Sequence, residues 1–108
     1  GTGTPSNDLA ETKAIKKFFG QRAYHIPVSS TKSMIGHCLG AAGAVEAVAA
    51  ILPLIKGLIP PTANYKNPDP ECDLDYVPEP RRMDINTALG LSLAFGGNNT
   101  AVVLKRVA

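Results

Sequence analysis

The sequence has 108 residues, with 11 Lys and Arg against 9 Asp and Glu, two His and two Cys. That length implies one compact unit, and a net charge of +2 without a dense basic cluster favours solvated faces over a nucleic-acid footprint. Two cysteines are too few for a disulfide scaffold, and Cys38 lies in an apolar run, so a reduced, intracellular (cytoplasmic) protein is expected.

Gly1-Thr2-Gly3-Thr4-Pro5 leads into a turn, and Asp8-x-x-Glu11 reads as a capping-box-like helix start. Ala14, Ile15, Phe18 and Phe19 give that helix an apolar stripe, with Lys13, Lys16 and Lys17 outward and Gly20 as its natural stop. His25 to Ser29 is a short strand candidate, limited to an edge by Pro27. The polar turn Ser29-Ser30-Thr31-Lys32-Ser33-Met34-Ile35-Gly36-His37 then opens onto a helix expected over Gly36–Ile55. Its only charge before Lys56 is Glu46, and Pro53 should end or bend it. Gly36, Gly40 and Gly43 among alanines leave one side almost bare, which lets another element approach closely although each Gly costs ~1 kcal/mol of helix propensity.

A helix apolar nearly all round is one meant to be buried. A membrane span is disfavoured, because Glu46 mid-way adds about 3 kcal/mol to insertion. A domain of this size buries only about two-thirds of its surface, too little to wrap both sides of such a helix. The chain is therefore expected to be incomplete, lacking a further layer of protein, and the helix to promote self-association where it stands exposed.

Gly57 to Asp84 is rich in Pro, Asn and Asp and reads as a long surface excursion, with Leu74–Val77 as a short strand inside it. From Thr87 to Phe95 the residues alternate. Leu89, Leu91, Leu93 and Phe95 share the face expected to pack on the apolar helix, and Ala88, Gly90, Ser92 and Ala94 share the other. Gly96-Gly97-Asn98-Asn99 supplies a tight turn, and Thr100–Val107 returns as the second strand of a hairpin.

His37 alone proves little, since a lone His at a helix start is more often a satisfied structural group. Lys32, five residues earlier, changes that reading: a semi-buried ammonium needs carboxylate partners, for which Asp8, Glu11 and Glu46 are the candidates. Cys38 follows His37 directly, but neighbours on a helix point ~100° apart, so a Cys–His dyad is not expected. The His and Cys residues have no zinc-type spacing, and no metal site is predicted.

Four segments together carry a resemblance. Gly-Thr-Gly-Thr-Pro-x-Asn-Asp-x-x-Glu, Ser-Ser-Thr-Lys-Ser-Met-Ile-Gly-His-x-x-Gly-Ala-Ala-Gly-Ala-Val-Glu, Asn-Pro-Asp-Pro-Glu-Cys-Asp-Leu-Asp-Tyr-Val-Pro and Ala-Phe-Gly-Gly-Asn-Asn occur in this order over essentially the whole chain. They resemble the C-terminal part of β-ketoacyl-[acyl-carrier-protein] synthases of the elongating, KAS II-like type. The resemblance implies an α/β fold, the C-terminal portion of a thiolase-like layered α/β/α/β/α architecture, with helices and a mixed sheet ending in an antiparallel hairpin. Residues 1–108 would form one ketoacyl synthase C-terminal domain, and the nucleophilic Cys would lie in an N-terminal half that this chain lacks.

The resemblance further implies a decarboxylative Claisen condensation of an acyl thioester with malonyl-acyl carrier protein in fatty-acid synthesis. A polyketide ketosynthase and a non-catalytic chain-length-factor subunit are the alternatives. His37 matches one of two His that donate to the malonyl thioester oxygen, and Lys32 matches a Lys tied to carboxylates at Asp8, Glu11 and Glu46. Thr2 and Thr4 match hydroxyls that contact pantetheine. Phe95 matches a gating Phe whose backbone N–H also joins the oxyanion hole. Ala94 stands where the family commonly has Gly before the gate, which restricts φ > 0 and bears on the order of substrate loading. Acyl carrier protein, the absent half and a second copy in a homodimer are the implied partners. No cofactor is implied beyond phosphopantetheine on the substrates, and no nucleic acid or membrane.

Overall fold

The computed structural model describes residues 1–107 and divides into two compact units, Gly1–Gly36 with Pro60–Pro80 and His37–Ile59 with Arg81–Ala108.

In the first unit, α1 spans Asn7–Phe19. Its cap is Ser6 without a side-chain bond, so Asp8 lies inside the first turn rather than forming a capping box, where its charge favours the helix dipole. The buried face is Thr12 and Ile15, with Phe19 half-covered, while Phe18 is 81% exposed. The expected stripe is thus rotated, and for a physical reason: Lys16 pairs with Asp73 and lies over the Tyr24 ring, 5.3 Å from its centroid. Lys16 is half-buried beside Tyr24, where the pattern has it facing outward. Gly20, at φ 57, ends α1 by donating to the Lys16 carbonyl.

A 3-10 turn then covers Gly20–His25, where a strand was expected to begin. No regular strand forms at 25–29 or at 74–77. Val28 N–H donates to the Asp75 carbonyl and Thr62 N–H to the Val77 carbonyl, each at 2.8 Å, so these extended segments share single bonds rather than a ladder. Pro27 within one segment and Val77 at φ 38 in the other interrupt any longer pairing. Ile15, Ala23, Leu74 and Val77 are the buried apolar residues of this unit. Thr12 joins them, its hydroxyl bonded to Tyr76 and, at 2.7 Å, to the Asp8 carbonyl.

The predicted single helix Gly36–Ile55 is broken. A short α2, Lys32–Ile35, ends at Gly36, whose φ of 80 only glycine adopts freely. A 3-10 turn follows at Leu39–Ala41, and the long helix α3 runs Ala42–Lys56 in the second unit. The cluster of glycines at 36, 40 and 43 weakens helix propensity enough for the chain to turn here. Pro53 neither ends nor replaces α3: it is buried inside it, and the helix continues to Gly57, a left-handed cap that donates to the Pro53 carbonyl.

β1 (Leu58–Ile59) pairs antiparallel with β2 (Arg81–Arg82), and β3 (Thr87–Leu93) pairs antiparallel with β4 (Asn99–Lys105) as the expected hairpin. Opposed residues share a face. Ala88, Gly90 and Ser92 therefore lie with Leu104, Val102 and Thr100, and Leu89, Leu91 and Leu93 with Val103, Ala101 and Asn99. The small face is the one laid on α3, opposite to the expectation. A Cβ built on Gly43 would stand 4.0 Å from Ser92 Oγ, and Ser92 donates to Glu46 Oε2 at 2.8 Å. The helix meets this face through Glu46, whose carboxylate accepts the Ser92 hydroxyl, and the leucine row of β3 is left facing away.

The open end of the hairpin is fastened by Arg106. Its backbone N–H donates to the Asn86 carbonyl, and its guanidinium reaches Asp84 (2.8 Å), the Asn86 side chain (2.9 Å) and the Leu54 carbonyl (3.4 Å). Only Pro53 and Leu54 of α3 are buried, with Ile59 beside them in β1. Val48, Ile51, Leu52 and Ile55 are exposed, Ile55 by 67%. The stretch Leu39–Lys56 is long and apolar enough to cross a membrane by length and composition. Here its Glu46 is instead hydrogen-bonded to a sheet.

Candidate active site

Lys32 and the residues preceding Gly36 belong to the first unit, and His37, Glu46 and Phe95 to the second. The first unit gathers Thr2, Thr4, Asp8 and Glu11. The two threonine hydroxyls are 3.0 Å apart. Asn7 Nδ2 donates to both carboxylates.

Lys32 is half-buried at the start of α2. The turn before it is held by hydroxyls that the sequence pattern did not single out. Ser33 Oγ donates to the Ser30 carbonyl at 2.6 Å and accepts the Ala63 N–H at 2.7 Å, while Ser30 N–H donates to Thr62 Oγ at 3.2 Å. A Ser three residues after another Ser in a turn is the signal for such a bond. These contacts stitch the turn to the first residues after the double proline.

In the second unit, His37 is exposed just beyond Gly36, and its Nδ1 accepts the backbone N–H of Leu39 at 3.0 Å. A neutral imidazole accepting at Nδ1 carries its proton on Nε2. The ring is thereby set to donate outward. Leu39 reaches this position at φ 48, a left-handed conformation uncommon for a side chain of its size. His37 Nδ1 is bonded to the Leu39 backbone rather than to Cys38.

Glu46 is half-buried on α3 and held by Ser92, a partner on β3 that charge pairing alone would not suggest. Phe95 is 97% exposed at the hairpin turn. Ala94 before it is extended, at φ −120 and ψ 167, so the Cβ there meets no strain; the positive φ values fall on Gly96 and Gly97 instead. Among the described residues, no group of three or more His, Cys, Asp or Glu is placed to hold a metal ion.

A profile of the beta-ketoacyl synthase C-terminal domain matches residues 1–66. The chain belongs to this family. It is 52% identical, over 98% of its length, to 3-oxoacyl-[acyl-carrier-protein] synthase 2 of Synechocystis sp., and 56% identical over 98% to the tetracenomycin polyketide synthase ketoacyl synthase alpha subunit of Streptomyces glaucescens. It spans about a quarter of the length of these curated relatives (26% and 25%). Among solved structures it superposes with a TM-score of 0.93, at 47% identity, on a chain of a type II PKS acyl-carrier protein in complex with its ketosynthase bound to the hexaketide. That match covers 96% of this chain and 26% of the other. The family's fold is thus present in this chain.

Proposed function

We propose that residues 1–108 are the C-terminal domain of a cytoplasmic, homodimeric β-ketoacyl-[acyl-carrier-protein] synthase acting in fatty-acid biosynthesis. In this reading a Cys outside the chain accepts an acyl group from its carrier thioester, releasing carrier thiol. Malonyl-acyl carrier protein then loses CO₂, its enolate carbon attacks the acyl-Cys carbonyl, and the Cys thiolate leaves, giving a 3-oxoacyl thioester two carbons longer. No cofactor takes part beyond the phosphopantetheine that the substrates carry.

His37 supplies a donor to the malonyl thioester oxygen as it becomes enolate-like. The observation that carries this role is the Leu39 N–H held at Nδ1, which leaves Nε2–H as the outward donor. Lys32 and the carboxylates Asp8, Glu11 and Glu46 form the supporting charge network, Thr2 and Thr4 contact pantetheine, and the Phe95 ring gates while its N–H joins the oxyanion hole. The carrier-protein complex among the structural relatives supports acyl carrier protein as the partner.

The test uses the complete synthase. His37→Ala should lower malonyl decarboxylation and condensation about 10²- to 10³-fold, the usual cost of one such donor. Lys32→Ala should also abolish condensation, while acyl loading of the Cys persists in both. Near-normal condensation by either variant overturns the assigned roles. The 108-residue chain alone should form no 3-oxoacyl product.

A polyketide ketosynthase is the second reading, favoured by 56% identity to the Streptomyces glaucescens subunit. A panel of acyl starters and extension counts in the complete synthase separates the two: a single extension supports the fatty-acid reading, iterative extension without keto reduction the other. A non-catalytic chain-length subunit is disfavoured by the presence of both Lys32 and His37.

A further inference from the structure

The hairpin turn that carries Phe95 is closed by Asn98 in two ways. The Asn98 carbonyl accepts the Ala94 N–H at 3.1 Å, and the Asn98 side chain folds back so that Nδ2 donates to the Phe95 carbonyl at 3.2 Å. The amide lies over Gly96, where a Cβ would come within 3.7 Å of Nδ2. Gly96 and Gly97, at φ 74 and 76, supply the left-handed backbone that brings Asn98 round. Residue 95 is therefore held on both sides, through the N–H of the residue before it and through its own carbonyl, while its ring makes almost no contact within the chain.

We propose that Asn98 is a positioning residue for Phe95: its side-chain amide latches the turn in one state and fixes the direction of the Phe95 peptide. This rests on the reading of Phe95 as gate and oxyanion donor. A single amide-to-carbonyl bond of this kind biases a two-state equilibrium about three- to tenfold. The latch thus belongs to the range in which substrate can still open it, and its loss should cost order rather than fold.

The experiment uses the complete synthase with Asn98→Asp and Asn98→His. Asp keeps the shape but cannot donate when ionised, whereas His retains an N–H donor. Asn98→Asp should lower kcat for acyl transfer to the Cys about three- to tenfold, with KM for the acyl-carrier substrate unchanged, the fold-change lost with one such bond. Asn98→His should restore most of it. Fluorine NMR of 4-fluorophenylalanine placed at position 95 should give one line in the parent and His proteins and a shifted or second line in the Asp protein. Unchanged kcat and an unchanged fluorine line in Asn98→Asp overturn the proposal. So does an equal loss in both variants that tracks a lower melting midpoint.

Phe95→Ala keeps the underlying reading separate. If Phe95→Ala leaves acyl transfer untouched, the role of Phe95 fails, while the fluorine line still reports whether Asn98 holds the turn.

Discussion

The two units of this chain are stabilised by different means. The first is tied by polar groups reaching backbone: Thr12 to Asp8, Ser33 to Ser30 and Ala63, Thr62 to Ser30. Around four buried apolar side chains it needs little regular pairing. The second has a regular hairpin and a long helix, yet of its apolar side chains only Leu54 and Ile59 join Pro53 in being buried. Regular secondary structure and a sufficient core are separate properties, and the more regular unit here is the one that leaves more apolar surface uncovered.

The largest effect should come from taking away what little core the second unit has. Leu54→Ala should cost about 3 kcal/mol, as for other buried leucines. Hydrogen exchange would register it as lost protection over α3 and the β3–β4 hairpin; unchanged protection there would mean that the exposed apolar surface, not Leu54, holds the unit. Next, Thr12→Val in the first unit removes a hydroxyl bonded to both Tyr76 and the Asp8 carbonyl, at about 1–2 kcal/mol. A thermal melt should move down by roughly 5 °C or more, and a melt that stays put would show that the unit does not depend on polar ties.

Ser92→Ala should cost about 1 kcal/mol by leaving Glu46 without the hydroxyl donor. In the complete synthase it tests whether the Glu46 carboxylate must be held for condensation. A smaller, pH-dependent effect comes from Tyr76. Burial raises its phenol above the ordinary value, against the Thr12 bond that lowers it. The folded state therefore holds the proton to higher pH than the unfolded chain. Stability is intact below about pH 10 and falls as pH rises through the folded value; a melting midpoint flat up to strongly alkaline pH would contradict it.

The smallest change is expected at Lys16 and Asp73. The Lys16 bond is the main cause that lowers the Asp73 carboxyl, and the Asp73 bond the main cause that raises Lys16. The pair's contribution is present above the ordinary carboxylate range and lost as pH falls through the lowered Asp73 value. Both groups are solvated, so Lys16→Ala should shift the melt only marginally, and less again at high salt.

What was legible in the sequence was periodicity and punctuation. The α1 helix and its stop at Gly20, the β3–β4 hairpin and its Gly-Gly turn all follow from local pattern. The break between α2 and α3 is masked by the continuous apolar run, although the glycines at 36, 40 and 43 mark it. The orientation of the hairpin was misread because hydrophobicity alone sends the leucine row inward. The Ser92 hydroxyl bond to Glu46 turns the other face to α3, a pairing of two polar groups that hydrophobic alternation does not register. Likewise the site residues His37 and Phe95 stood out by resemblance, while Ser33, Thr62 and Ser92, which hold elements in place, are ordinary serines and threonines until their partners are seen.

The hairpin register has one more consequence. With Asn86 and Arg106 pinning one end and Ala94 and Asn98 the other, every rung from Thr87–Lys105 to Leu93–Asn99 is committed. A single residue gained or lost within β3 would swing Leu89, Leu91 and Leu93 onto the face where Ser92 now bonds Glu46 of α3. Natural length variation between these strands should therefore come in steps of two, or be absorbed outside the ladder by a bulge.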